Sequence, residues 1–130
     1  MNIAVVGLGF VGLTLSSVLA SKNNNVIGID TDNQKCLEIR NGILPLFEPD
    51  LEKTLRIGLK KKLTVSNNFS LIKNCDMIFV TVGTPQKPNG AIELSMIKKA
   101  TAAIGQIIRK SEKNPIIFIK STVVPGTTQN

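Results

Sequence analysis

Short apolar runs, rich in Val and Ile, recur along the chain and end at glycine, polar or proline-containing segments. Continuous runs of this kind are typical of strands that are buried on both faces of a sheet. The run MIFVTV, at residues 77–82, is the strongest of these signals. The pattern predicts five strands, at residues 2–6, 26–29, 63–66, 77–82 and 115–119.

Between these runs, apolar residues recur at the spacing of an amphipathic helix. After the second strand, Leu37 is expected to face the core, and Asn41-Gly42 is a typical helix stop signal. The spacing predicts helices over residues 10–21, 33–40 and 50–59, a helical turn over 69–73, and a long helix marked by apolar positions from 97 to 108.

The alternation of strands and helices determines the expected fold class. Strands that are separated by helices form parallel βαβ units with right-handed crossovers. We therefore predict an α/β fold with a doubly wound parallel sheet, formed by a single domain over residues 1–130. Ligands bind such sheets at the carboxyl ends of the strands. Functional residues are expected in the loops after Val6, Ile29, Val82 and Ile119.

Composition excludes several classes of protein. The chain has 130 residues, 42% of them hydrophobic, and this length suffices for one core without disulfides. It has two cysteines and no histidine, so we expect no Cys/His zinc site and favour a reduced cytoplasmic protein. No apolar stretch approaches the roughly 20 residues of a membrane helix, so no membrane partner is expected.

The charge of the chain leaves three classes of partner to consider. Sixteen Lys and Arg against nine Asp and Glu give a net charge of +7, which can indicate nucleic acid, a phosphorylated ligand or a solvated surface. The only basic triplet, residues 60–62, has no aromatic residues interleaved with it. Single-stranded nucleic acid requires such stacking platforms beside the cations. Nucleic acid is therefore not expected as a partner.

Candidate chemistry begins with Gly7-Leu8-Gly9-Phe10-Val11-Gly12, which follows the first strand and opens the first helix. In that context G-x-G-x-x-G is a dinucleotide-binding pattern. Gly7 permits a tight turn, Gly9 lets a pyrophosphate approach the backbone, and Gly12 lets the helix pack closely on the sheet. Unpaired N–H groups at the helix N-terminus would hold the pyrophosphate. The alternative is a glycine-rich turn without a ligand.

An acidic residue stands where a dinucleotide site requires one. Asp30 ends the second strand, and its carboxylate can accept hydrogen bonds from both hydroxyls of an adenosine ribose. Because a carboxylate would repel a 2′-phosphate, NAD is favoured over NADP. Lys35, one helical turn further on, could offset the charge of the cofactor or reinforce the ribose contact. The alternatives are that Asp30 only caps the following turn and that Lys35 is only a solvated side chain.

Two further strand ends carry candidate residues. Val82-Gly83-Thr84-Pro85 follows the fourth strand and could border the adenine ribose and the pyrophosphate. Ser121 and Thr122 follow the fifth strand, where Thr122 could face the nicotinamide end. From their chemistry alone, both segments are ordinary loops.

No nucleophile and base pair emerges from the remaining residues. Cys36 is expected on the solvent or half-buried side of a helix and Cys75 just before a strand, so both are interpreted as structural. Glu48 and Asp50 flank Pro49 at a helix start, where they would interact with the helix dipole. A catalytic centre is therefore not expected within these residues.

Four segments occur together in the order of a known family: IAVVGLGFVGL, GIDTDNQK, RNGILPLFEPDL, and the pair VGTP and KSTVVPGT. The chain resembles the N-terminal domain of the UDP-glucose/GDP-mannose dehydrogenase family, the nucleotide-sugar 6-dehydrogenases. The glycine pattern is shared with many dehydrogenases. The NG-x-x-P-x-x-EP loop and the STV-x-PGT strand end are characteristic of this family.

The resemblance implies a Rossmann-type NAD domain and a supporting position for Thr122 beside the catalytic centre. Enzymes of the family oxidise the C6 alcohol of a nucleotide sugar to the carboxylate, using two NAD and a catalytic cysteine in a Gly-Gly-Ser-Cys-like motif. The positions that match NAD contacts in the family are Phe10, Val11, Asp30, Lys35, Thr84 and Thr122.

That cysteine motif has no match in the 130 residues, nor does the sugar-nucleotide domain. The resemblance therefore implies that the chain is the NAD-binding part of a longer dehydrogenase, usually homodimeric and typical of polysaccharide biosynthesis. By itself it is expected to bind NAD without turnover. The residues do not indicate which nucleotide sugar the longer protein oxidises.

Two alternatives stay open at this stage. A NAD-dependent 3-hydroxyacid or 3-hydroxyacyl-CoA dehydrogenase shares the glycine-rich start, although the RNGILPLFEP loop argues against it. A non-catalytic NAD-sensing domain can also stand alone at about this length, and it would need no catalytic partner.

Overall fold

All five predicted strands are present in a computed structural model, which describes residues 1–45 and 48–129. Leu46 and Phe47, within the predicted proline-containing loop, lie outside the described residues. The strands are β1 (Asn2–Val6), β2 (Asn25–Ile29), β3 (Leu63–Ser66), β4 (Met77–Val80) and β5 (Ile116–Ile119). They form one parallel sheet in the order β3-β2-β1-β4-β5. This order confirms the predicted α/β fold with a doubly wound sheet.

The helices also follow the predicted positions closely. They are α1 (Phe10–Ser21), α2 (Asn33–Arg40), α3 (Leu51–Lys61) and α4 (Ser95–Ile108), with a 3-10 helix over Phe69–Asn74. The third helix begins one residue later than predicted because Asp50 adopts a left-handed conformation, with φ of 60°. Within the part of the chain that the structure describes, no helix is long and apolar enough to cross a membrane.

The sheet has a separate apolar core on each face. Successive residues of a strand point to opposite faces, so Val5 joins the core beneath α1, α2 and α3, whereas Ala4 and Val6 join the core beneath α4 and the 3-10 helix. β1 lies at the centre of the sheet and contributes to both cores. The loop that follows β1 is therefore supported from both sides.

The buried face of α2 differs from the predicted one. Leu37 is 41% exposed, whereas Cys36 and Ile39 are fully buried. The expectation that Cys36 lies on the solvent or half-buried side is therefore wrong, and so is the inward position of Leu37. Helix α2 turns the smaller thiol towards β2, where the Cys36 Sγ lies 3.5 Å from the carbonyl oxygen of Asp30.

Helix α1 buries small polar residues beside large apolar ones such as Leu13. Val11 and Val18 are 44% and 42% exposed, while Ser16 and Ser17 are fully buried. The two serine hydroxyls donate hydrogen bonds to the carbonyls of Gly12 and Leu13, at 2.7 and 2.8 Å. Because their hydroxyls are satisfied within the helix, serines can occupy the position of apolar residues at this tight interface.

The glycine-rich turn brings β1, α1 and β4 into direct contact. Gly7 has φ of +98°, which favours glycine, and a Cβ there would lie 2.8 Å from the backbone nitrogen of Val82. A Cβ on Gly12 would lie 1.8 Å from the carbonyl oxygen of Gly7. Strand β4 ends at Val80, earlier than the predicted residue 82, so Thr81 and Val82 belong to this junction.

Gly12→Ala is expected to lower the free energy of unfolding by roughly 3 kcal/mol. The added methyl group overlaps the Gly7 carbonyl oxygen, a backbone atom that cannot move aside as the end of a flexible side chain could. Gly105→Ala is the matched control, since a Cβ there meets nothing within 4 Å. This control should raise the same free energy by about 0.8 kcal/mol through helix propensity. Urea denaturation measures both, and equal effects would contradict the close approach of α1.

Candidate functional site

A cleft of about 870 Å³ opens at the carboxyl end of the sheet, between the start of α1 and one face of α4. This volume lies within the range of pockets that bind small ligands and cofactors. The loops after β1, β2, β4 and β5 all contribute to its wall, as predicted from the strand ends. The sequence-predicted residues that line the cleft are Gly7, Gly9, Phe10, Val11, Asp30, Lys35, Val82, Gly83, Thr84 and Ser121.

Three predicted site residues do not line the cleft. Gly12 lies beneath it, against the Gly7 carbonyl, and acts through the packing of α1. Pro85 lies beyond the Thr84 end of its loop. Thr122 is exposed, next to the lining residue Ser121.

The N-terminus of α1 borders the cleft without a side-chain cap. Gly9 is the N-cap residue, no side chain of the described residues caps it, and the first turn carries no acidic residue. By contrast, the Asp32 side chain caps α2, accepting a hydrogen bond of 3.1 Å from the Lys35 N–H. A Cβ on Gly9 would meet nothing within 4 Å, so the turn faces open space. An anion can therefore approach the free N–H groups of α1.

Asp30 is a buried carboxylate held by several donors. It is only 8% exposed. Its Oδ2 accepts hydrogen bonds from the Leu8 N–H at 2.8 Å and from the Lys35 Nζ at 2.9 Å, and its Oδ1 accepts from the Asp32 N–H at 3.0 Å. Burial alone would raise the pKa of Asp30, but the Asp32 and Leu8 N–H groups and the Lys35 ammonium together hold it below its ordinary value. The side chain is therefore ionised at neutral pH.

These contacts leave the Asp30 and Lys35 pair able to bind a diol. A carboxylate offers about four acceptor positions, and three are used by Leu8, Asp32 and Lys35. The Lys35 ammonium uses one of its three protons on Asp30, and its side chain is 29% exposed. Asp30 does cap the following turn, as the alternative held. These contacts nevertheless leave one acceptor position of the carboxylate and two protons of the ammonium unused, and both residues line the cleft.

Thr81 is a residue that the motif analysis missed. It is 9% exposed at the end of β4, and its Oγ1 lies 2.7 Å from the Gly7 carbonyl and 3.1 Å from the Val6 carbonyl. The hydroxyl therefore ties the glycine turn to β4. A threonine within an otherwise apolar run was the available signal, but its partner lies more than seventy residues earlier in the chain.

The wall of the cleft that α4 and the 3-10 helix form was also not predicted from the sequence. Phe69, Met96 and Ala100 give this wall an apolar surface, and Lys99 and Lys120 add two cations to the cleft. The positions from α4 are one helical turn apart, which marks a common face. Sequence periodicity could identify that face but not the loops opposite it.

Neither cysteine is placed for catalysis. Cys36 and Cys75 are free and buried. Burial raises the pKa of the Cys36 thiol, and burial together with the nearby Asp76 carboxylate raises the pKa of Cys75 to about 11. In the described residues, no group of three or more Cys, Asp and Glu side chains is arranged to hold a metal ion.

Thr81→Val should lower the free energy of unfolding by about 1 to 2 kcal/mol, because the isosteric side chain cannot donate to the Gly7 carbonyl. Thr64→Val is the control, since Thr64 is exposed on β3. Its effect should stay within about 0.5 kcal/mol. Thermal or urea denaturation compares the two variants, and similar values would show that the Thr81 hydroxyl contributes nothing.

Both thiols should react slowly with a chromogenic disulfide reagent at pH 8 in the folded chain. The raised pKa values keep them protonated at that pH, and burial blocks the reagent. In denaturant, reaction should be fast and complete. Rapid reaction of one thiol under native conditions would contradict the structural role assigned to the cysteines.

Comparison with known proteins identifies the family. The model of the UDP-glucose/GDP-mannose dehydrogenase family, NAD binding domain, matches residues 1–130. A GDP-mannose 6-dehydrogenase of Pseudomonas syringae pv. tomato is 37% identical over 132 aligned positions. A putative UDP-glucose 6-dehydrogenase of Bacillus subtilis is also 37% identical. The alignments cover all of this chain but only 30% and 29% of the two relatives.

The solved structures agree with the sequence relatives. The chain superimposes with a TM-score of 0.96 on a ternary complex of GDP-mannose dehydrogenase from Pseudomonas aeruginosa, at 35% identity, covering all of this chain and 30% of that one. The Rossmann-type fold and the NAD cofactor expected from the sequence are thereby confirmed. The chain belongs to the UDP-glucose/GDP-mannose dehydrogenase family and corresponds to its NAD binding domain.

Proposed function

We propose that this chain binds NAD through the described cleft, as the cofactor domain of a nucleotide-sugar 6-dehydrogenase. One observation carries the proposal: the uncapped N-terminus of α1 and the ionised Asp30 border the same cleft. The Leu8 N–H, in the glycine turn, donates a hydrogen bond to Asp30 and so connects the two. A dinucleotide carries an anionic pyrophosphate next to an uncharged ribose diol, so these two neighbouring features suit those two groups.

The pyrophosphate would lie on the glycine turn. Gly7 makes the turn, and Gly9 leaves open space for the close approach of the pyrophosphate. Gly12 lets α1 pack closely against the turn. The N–H groups of Phe10 and Val11, in the first turn of α1, are free of side-chain caps and would donate to the phosphate oxygens.

The adenosine ribose would lie between Asp30 and Lys35. Asp30 would accept from one hydroxyl, and the remaining ammonium protons of Lys35 would donate to the hydroxyl oxygens. A 2′-phosphate would place its charge against the buried Asp30 carboxylate. This argument supports NAD over NADP.

The nicotinamide half would extend towards the ends of β4 and β5. Val82, Gly83 and Thr84 were expected from the sequence to border the adenine ribose and the pyrophosphate. Because β4 and β2 lie on opposite sides of β1, we propose instead that these residues contact the nicotinamide half, as does Ser121. Pro85 would shape the same loop, and the exposed Thr122 would stand beside the nicotinamide ring, next to the reacting carbon of a substrate. When bound, NAD supplies the hydride acceptor, and the residues of this chain hold and orient it.

For the whole protein, we propose oxidation of a sugar C6 alcohol to the carboxylate with two NAD. The matched relatives named for GDP-mannose and UDP-glucose 6-dehydrogenation support this class of substrate, and the chain spans 30% of the length of the first of them. The catalytic cysteine would lie outside these residues, so this chain alone should form no NADH with a nucleotide sugar. We also propose that the whole protein forms a homodimer. We propose a cytoplasmic location for it, since two free thiols fit a reducing compartment.

Calorimetric titration with NAD⁺ and NADP⁺ tests the cofactor proposal. NAD⁺ should bind, and NADP⁺ should bind at least about tenfold more weakly because the 2′-phosphate meets a buried carboxylate. Asp30→Asn keeps the side-chain volume and should weaken NAD⁺ binding roughly tenfold through the loss of a charge-assisted hydrogen bond.

Glu52→Gln is the control, because Glu52 is an exposed α3 residue paired with Arg56, away from the cleft. It should leave both affinities unchanged. Circular dichroism establishes that each variant is folded. Equal binding of the two cofactors, or full NAD⁺ affinity in folded Asp30→Asn, would refute the assignment of Asp30.

A further inference from the structure

The charged side chains of the cleft are distributed unevenly along it. Asp30, Asp32 and Lys35 lie at the end formed by β2 and α2, where Lys35 is 2.9 Å from Asp30. Lys120 lines the opposite end, directly after β5, and Lys99 of α4 adds a second cation to the cleft wall. Among the described residues, the loops after β4 and β5 contribute no carboxylate to the cleft wall, and no ion pair includes Lys120.

The order of the strands separates these two ends. From β2 to β5 the sheet runs through β1 and β4. Neighbouring strands lie about 4.8 Å apart, so the two ends are about 14 Å apart. At that separation Asp30, already paired with Lys35, cannot neutralise Lys120 effectively.

The orientation of a bound dinucleotide follows from the proposed function, on which this inference rests. With the adenosine ribose at Asp30 and the pyrophosphate on α1, the nicotinamide half reaches the β4 and β5 end. The oxidised ring carries a positive charge, the reduced ring is neutral, and ADP-ribose has no ring. All three share the same adenosine diphosphate half, so they differ only at the end where Lys120 lies.

We propose that Lys120 is a specificity-determining residue, which disfavours the cationic oxidised ring and makes the cleft prefer NADH and ADP-ribose to NAD⁺. Two like charges at about 6 Å in water-like surroundings change an equilibrium about threefold. Because Lys120 is exposed, this water-like value applies to it. The site consequently retains its reduced product more tightly than its oxidised substrate.

Titration calorimetry of the chain with NAD⁺, NADH and ADP-ribose tests the proposal. NADH and ADP-ribose should each bind about threefold more tightly than NAD⁺ at low salt. Lys120→Gln should reduce that difference by improving NAD⁺ binding relative to the other two, with the Lys99 cation still in place. Raising the ionic strength should shrink the difference in the same way, because Lys120 is exposed.

Lys98→Gln is the matched control. Lys98 is an exposed lysine of α4 that does not line the cleft, so its variant should keep the wild-type ratio of affinities. If Lys120 had only a structural role, Lys120→Gln would weaken the binding of all three ligands equally. An unchanged ratio of their affinities in this variant would therefore overturn the proposal. If none of the three ligands binds, the proposed NAD site itself fails. Binding of all three with equal affinity overturns only the role of Lys120.

Discussion

The close packing of α1 against the end of β1 is the contact on which the site depends. Because Gly12 has no side chain, the helix approaches the Gly7 carbonyl at a distance that any Cβ would prevent. The same carbonyl accepts the Thr81 hydroxyl, so β4 is joined to the turn as well. These contacts direct the uncapped N-terminus of α1 into the cleft. A local requirement for glycine therefore determines where an anion can bind.

Asp30 connects the fold to the proposed cofactor site through its hydrogen bonds. A buried carboxylate is costly unless it is paired and hydrogen-bonded, and Asp30 meets that condition through Leu8, Asp32 and Lys35. The Leu8 bond connects the end of β2 to the glycine turn after β1, so the two halves of the proposed cofactor site are held in register. The Lys35 bond adds the first turn of α2. The carboxylate is thus oriented before a ligand arrives.

The strands and helices could be predicted from the sequence because each has a strong local signal. The glycine turn and Asp30 were found for the same reason, since both are defined by spacing along the chain. The prediction that Leu37 lies on the inward face of α2 was wrong. It rested on hydrophobicity, whereas the close approach of α2 to β2 admits the smaller Cys36. Thr81 was missed because its partner, Gly7, is distant in sequence. Such contacts depend on how elements cross, which periodicity does not describe.

The two ends of the cleft differ in how firmly the fold supports them. At the Asp30 end, β2 lies between β1 and β3, and Ile29 is fully buried. At the Lys120 end, β5 is the edge strand of the described sheet, and Ile116, Ile117 and Phe118 are 58%, 40% and 39% exposed. Stacking of Phe118 on Phe79, with ring centroids 5.0 Å apart, connects β5 to β4. In the proposed binding mode, the adenosine half of a dinucleotide would therefore meet the more deeply buried end of the described sheet, and the nicotinamide half would meet its edge strand.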